Sequence, residues 1–96
     1  MDNHYYPIFI DLRDRLAVVV GGGMVASRKI EPLLKAGARV KVVATEVVDK
    51  IAQSDGIEII RRDYEPQDLD GAFLVIAATD DDKTNLAVSR DADSRR

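Results

Sequence analysis

The sequence predicts an α/β fold built on a parallel sheet, and three observations carry that reading. Short Val- and Ile-rich runs alternate with amphipathic stretches along the chain. One run, Leu16-Ala17-Val18-Val19-Val20, passes directly into Gly21-Gly22-Gly23 and then into a helical pattern. Another, Ala72-Phe73-Leu74-Val75-Ile76-Ala77-Ala78, is apolar throughout, which predicts a central, parallel strand covered on both faces. Right-handed crossovers then order four strands 3-2-1-4, with helices on both faces. This is a Rossmann-like arrangement.

The elements follow in order. Tyr5 to Leu12 is an apolar, extended lead-in, and Pro7 argues for an edge or non-sheet segment. Asp11 to Arg15 is a charged turn before the first strand, about Leu16 to Val20. A helix from about Gly23 to Lys35 places Ala26, Ile30, Leu33 and Leu34 on one stripe, and Gly37 suits its C′ position. Pro32 falls inside this helix, where it removes the bond to the Arg28 carbonyl and predicts a kink or strain of about 3 kcal/mol. Arg39 to Val43 is the second strand, with Val40 and Val42 on one face; Glu46 to Gln53 is a short helix; Ile57 to Ile60 is the third strand. Arg61 to Gly71 is polar and carries Pro66. After the fourth strand, Thr79-Asp80-Asp81-Asp82 suits a helix cap, with acidic residues at the positive dipole end of a helix from about Asp81 to Ser94.

Gly21, Gly23 and Ala26 fill the pattern G-x-G-x-x-A between a strand and a helix. Gly21 can adopt the tight turn, Gly23 has no side chain to hold a pyrophosphate away, and Ala26 lets the helix pack closely on the strand. The free N–H groups and positive dipole end of the helix attract a diphosphate. A dinucleotide site is therefore expected here. Four strands make somewhat more than half of such a domain, and a fifth strand would be due where the chain stops at Asp93-Ser94-Arg95-Arg96. Residues 1–96 are thus expected to be a partial NAD-binding domain, incomplete at the C-terminus.

Composition removes several other classes. A net charge of −3 gives no electrostatic footprint for nucleic acid or an anionic membrane. No cysteine and a single histidine leave no disulfide framework, thiolate nucleophile or metal-site spacing. The N-terminus has no signal-peptide pattern, and no apolar run approaches the roughly 20 residues of a membrane span. A cytoplasmic protein is the expectation.

Several segments together resemble one family, the N-terminal domain of siroheme synthase (precorrin-2 dehydrogenase/sirohydrochlorin ferrochelatase). They are Pro7-Ile8-Phe9 with Asp11-Leu12, the stretch Val18 to Ala26 with Arg28-Lys29, Leu33 to Val40, and Asp70 to Asp81 with Asn85. The triple glycine combined with Ala77-Ala78-Thr79-Asp80-Asp81 is more specific than the glycine motif alone. The resemblance implies an NAD-dependent oxidoreductase of siroheme (porphyrin) biosynthesis. Such an enzyme oxidises precorrin-2 to sirohydrochlorin with NAD⁺ as hydride acceptor. In many members Fe²⁺ insertion follows, and a homodimer is implied for the full-length protein. It places Gly21, Gly22, Gly23, Met24 and Val25 at the diphosphate, Thr45 and Glu46 beside the adenosine ribose, and Ala78, Thr79 and Asp80 on the nicotinamide side. The family's catalytic aspartate follows the next strand, in an Asn-Val-Val-Asp type segment, so no catalytic residue is expected before Arg96 and the 96 residues alone are expected to be inactive.

The residues themselves qualify this picture. The usual acidic ribose ligand falls near position 44, where Ala44 and Thr45 stand and Glu46 comes slightly late. Glu46 would repel a 2′-phosphate, which favours NAD over NADP; alternatively it serves the dipole of the short helix. Thr79 and Asp80 suit both capping and ligand contact. Three consecutive carboxylates, Asp80 to Asp82, point in different directions from a helix start, so capping is preferred to metal binding. Arg61 and Arg62 read as surface charge, and His4 as a residue of a terminal tail. A non-catalytic nucleotide-sensing Rossmann-type module is the alternative, although such modules usually carry the acid that Ala44 replaces.

Overall fold

The computed structural model describes His4 and residues 6–95. Tyr5, the start of the expected lead-in, and Arg96 lie outside the described residues. The elements are β1 (Leu16–Val20), α1 (Met24–Lys35), β2 (Arg39–Val43), α2 (Asp49–Ala52), β3 (Ile57–Ile60), a 3₁₀ turn (Pro66–Leu69), β4 (Leu74–Ala77) and α3 (Asp82–Ser94). The strands pair in parallel in the order β3-β2-β1-β4, as expected.

The period-two alternation of β1 divides the interior into two cores. Ala17 and Val19 join Val40 and Val42 of β2 beneath α1 and α2, where they meet Ala26, Ile30, Leu33 and Ile51. Val18 and Val20 point the other way with Val43, against Leu69 of the 3₁₀ turn and Val88 of α3. All four β1 residues from Ala17 to Val20 are buried. A fully buried valine side chain contributes about 2 kcal/mol of transfer free energy, so β1 anchors both layers.

Helix α1 buries the expected stripe and ends in a Schellman arrangement: Ala38 N–H bonds the Leu33 carbonyl, Gly37 N–H bonds the Leu34 carbonyl, and Gly37 has φ +81°. The helix runs through Pro32 without interruption. Pro32 and Arg28 are both exposed, which puts the Arg28 carbonyl that loses its amide partner on the wet side of the helix.

Three expectations are corrected. The helix expected over Glu46 to Gln53 is only Asp49–Ala52: residues 45 and 46 form a bend, and Val48, the extended N-cap, is held by a 2.8 Å bond from its N–H to the Gly22 carbonyl. Glu46 therefore precedes the helix and is not its dipole residue. The strand expected over Ala72 to Ala78 is limited to Leu74–Ala77, and among the described residues it pairs only with β1. It is parallel but outer rather than central, and its residues are half-buried or exposed, one edge having no neighbouring strand among the described residues. The polar stretch after β3 holds a 3₁₀ turn that the reading missed. Its signal was Glu65-Pro66-Gln67-Asp68, a proline at the first position with an acidic residue two further on. Among the described residues no helix is long and apolar enough to cross a membrane.

The 3₁₀ turn is fixed by Asp68, whose side chain is 4% exposed. Its carboxylate accepts from Arg62 Nη1 and Nη2 at 2.9 and 2.6 Å and from the Glu65 N–H at 2.8 Å. The Arg62 guanidinium first, and then the Glu65 N–H, hold this carboxyl below the usual carboxylate range. The stability so gained is present above the unfolded-chain pKa of about 3.9. It is lost as pH falls through the lower folded value. Asp68→Asn is expected to cost about 2 kcal/mol at neutral pH. It should also flatten the acid limb of a plot of urea midpoint against pH; an acid limb identical to that of the wild type would contradict this.

Candidate functional site

The register brings the carboxyl ends of all four strands into one row. Val20 is level with Val43 and Ala77, and Val43 with Ile60. The chain leaves β1 towards β2 on one side, while β4 lies on the other, so the row contains the switch point at which open α/β sheets bind ligands. An open cleft of about 1050 Å³ lies there.

The glycine turn forms its floor. Gly21 has φ +132°, and a Cβ at this position would overlap the carbonyl of Ala78 beyond β4. Its N–H bonds the Val43 carbonyl at 2.9 Å. A Cβ on Gly22 would collide with the Glu46 carbonyl and crowd Val47 Cγ1 at 2.9 Å. At Gly23 a Cβ would meet nothing within 4 Å. The three glycines thus have different tasks: two permit backbone approaches within the protein, and the third leaves space in the cleft. Gly23 is also the N-cap of α1 and offers no side-chain cap. The first intrahelical bond runs from Ser27 N–H to the Gly23 carbonyl, which leaves the amides of Met24, Val25 and Ala26 without intrahelical partners. Ala26 is fully buried against the sheet, as the motif requires.

All ten sequence-selected residues line this cleft: Gly21, Gly22, Gly23, Met24, Val25, Thr45, Glu46, Ala78, Thr79 and Asp80. The tertiary fold also brings in residues that were not selected as sites. Arg62, Asp63 and Tyr64 arrive from the end of β3, and Lys83 and Thr84 from the first turn of α3. The available signal was positional, since every strand end borders the cleft. Arg62 is engaged by Asp68 and lies 3.7 Å from Glu65, so its charge is balanced within the protein. Tyr64 donates to Asp91 Oδ2 at 2.7 Å, and burial, followed by that bond, raises its phenol well above the ordinary value. It remains a neutral donor.

On the opposite wall, Asp81 is the N-cap of α3, as expected. The Thr84 hydroxyl and then the Lys83 N–H hold its carboxyl below the usual range. Thr79 lines the cleft on this side. Its hydroxyl donates to Asn85 Oδ1 at 2.7 Å and accepts the Asp81 N–H at 3.1 Å. Asp80 is exposed at the rim. His4 is exposed and does not line the cleft. Among the described residues no cluster could hold a metal ion.

Comparison with known proteins agrees with this geometry. The profile of the NAD(P)-binding family NAD_binding_7 matches residues 8–96. The chain belongs to this family. It is 54% identical over 92 residues to a siroheme synthase of Methylobacillus flagellatus, covering 93% of this chain and 20% of that protein. It is 48% identical over 95 residues to siroheme synthase 1 of Pectobacterium atrosepticum, covering 96% of this chain and again 20% of the relative. The chain therefore spans about a fifth of the length of the curated relatives it matches. The solved structure of SirC, a precorrin-2 dehydrogenase, superposes with a TM-score of 0.84 at 33% identity, over 88% of this chain and 44% of that one. Family membership and the cleft agree on the ligand class, a nicotinamide dinucleotide.

The glycines provide a test that separates fold from ligand. Gly21→Ala combines a strained φ with a backbone overlap and is expected to destabilise the fold by about 3 kcal/mol or more. Gly23→Ala, at φ −91° with open space around it, should unfold at the wild-type urea concentration yet weaken NAD⁺ binding. Equal stability losses for the two variants would refute this division.

Proposed function

We propose that this chain supplies the NAD-binding part of a precorrin-2 dehydrogenase acting in siroheme biosynthesis. The observation that carries the reading is the glycine turn facing Ala78 to Asp80 across one cleft, in a chain similar to siroheme synthases and to SirC. The residues present suit a dinucleotide. Gly23 leaves room, and the amides of Met24, Val25 and Ala26 offer donors to a diphosphate at the start of α1. Gly21 and Gly22 hold the turn, Thr45 and Glu46 border the adenosine ribose, and Ala78, Thr79 and Asp80 form the nicotinamide-side wall. When bound, NAD⁺ supplies a hydride acceptor. This chain's residues bind it, orient it and shield its inner face.

The cleft border carries Glu46, Asp63, Asp80 and Asp81 against the single charge of Lys83, whereas Arg62 is already paired with Asp68. Close carboxylates disfavour an added 2′-phosphate, which supports NAD over NADP. The tetrapyrrole substrate rests on the names of the relatives. Fe²⁺ insertion and a homodimer extend the same resemblance and form part of this proposal, as does the assignment of residues 1–96 to one nucleotide-binding unit.

Calorimetric titration should show saturable NAD⁺ binding, tighter than that of NADP⁺. Glu46→Ala should narrow the preference between the two cofactors. The full-length protein is expected to convert precorrin-2 with NAD⁺. A chain that saturates with ADP or ATP but not with NAD⁺, in a protein without turnover, would replace this reading with a nucleotide-sensing one.

A further inference from the structure

Thr79 lies just beyond the end of the sheet. β4 ends at Ala77, and its last bond to β1 runs from Ala78 N–H to the Val20 carbonyl at 2.8 Å. Past that point no strand of the described residues accompanies the chain. Asn85, one turn into α3, provides the missing pairing. Its Oδ1 accepts the Thr79 N–H at 3.2 Å, and its Nδ2 donates to the Thr79 carbonyl at 3.0 Å. A side-chain amide that satisfies both backbone groups of one residue does the work of a neighbouring strand. The Thr79 hydroxyl is part of the same arrangement: it faces two acceptors, Asn85 Oδ1 at 2.7 Å and the Asp81 carbonyl at 3.0 Å, and it accepts the Asp81 N–H. Asn85 is itself anchored, because its own N–H bonds the Asp81 carbonyl at 3.0 Å.

We propose that Asn85 is a positioning residue for the cleft, and that the Thr79 hydroxyl serves this clamp rather than the ligand. The clamp fixes the main chain of residues 78–80. The Asp80 carboxylate and main chain are left to meet the nicotinamide half of the cofactor. This inference rests on the NAD reading of the cleft given above. The glycine turn has separate anchors, Gly21 N–H to Val43 and Val48 N–H to Gly22, and is expected to stay in place when the clamp is cut.

The test combines amide hydrogen exchange with NAD⁺ and ADP titrations on the full chain. Asn85→Ala should speed exchange at Thr79 and Asp81 while Gly21 keeps its protection. NAD⁺ binding should weaken about tenfold, as expected for the loss of one or two neutral hydrogen bonds. ADP, which lacks the nicotinamide half, should bind as it does to the wild type. Asn85→Asp keeps the acceptor and loses the donor to the Thr79 carbonyl; it should show an intermediate effect and serves if the alanine variant does not fold. Thr79→Val should weaken NAD⁺ as well, and the double variant Thr79→Val, Asn85→Ala should be no worse than the weaker-binding single variant. Additive losses would place the hydroxyl on the ligand and overturn its assignment to the clamp. Equal weakening of ADP and NAD⁺ would show a general structural effect and overturn the positioning role. Unchanged exchange at Thr79 in either Asn85 variant would overturn the clamp whatever binds. A protected Thr79 in a wild-type chain that does not bind NAD⁺ would instead sink the cofactor reading, while the exchange data still decide the clamp.

Discussion

The close approach of Gly21 to the carbonyl of Ala78 is the constraint on which the rest of the molecule depends. β1 and β4 are parallel neighbours, yet the chain must leave β1 for α1 in the narrow space beside the exit of β4. Only a residue without a Cβ, at a φ that L side chains rarely adopt, fits there. Once that turn is made, the start of α1 faces the cleft, and the Gly22 carbonyl is presented to Val48 N–H. The segment after β2 is thereby held against the turn, which delays α2 and lays Thr45 and Glu46 along the cleft. One missing methyl group therefore sets the floor of the site and one of its walls.

The two cores support this arrangement from opposite faces. Among the described residues the layer under α1 and α2 is the larger, with nine buried residues against five in the layer under α3 and the 3₁₀ turn. The smaller layer is reinforced by polar connections instead. Arg62 to Asp68 secures the turn, and Tyr64 to Asp91 ties the end of β3 to α3 across 27 residues of sequence. These bonds place β3's exit against α3, and so fix the far side of the cleft. They also consume the charge of Arg62, which leaves the backbone amides at the start of α1 as the donors beside the glycine turn. Such donors are rigidly placed by the helix and do not depend on pH.

Most of the architecture could be read from the residues. The run into three glycines, the alternation in Arg39–Val43 and the apolar Leu74–Ala77 are short-range patterns, and the right-handed crossover turns them into a strand order without further information. The misreadings arose wherever a distant contact overrode a local preference. Glu46 to Val48 has the composition of a helix start, but Val48 is bound to Gly22. Apolar composition marked β4 as central, yet one side of it meets no strand among the described residues.

The sequence by itself determined the strand order, the glycine turn, the cap of α3 and the dinucleotide class, because each depends on the conformational limits and polarity of adjacent residues. Only the tertiary structure decided which glycine clears which neighbour, that Arg62 is neutralised by Asp68, and that the wall opposite the glycine turn is held by an asparagine side chain. Those facts depend on distances between elements that lie far apart along the chain. Such distances are set by the packing of helices on the sheet, and no local pattern encodes them.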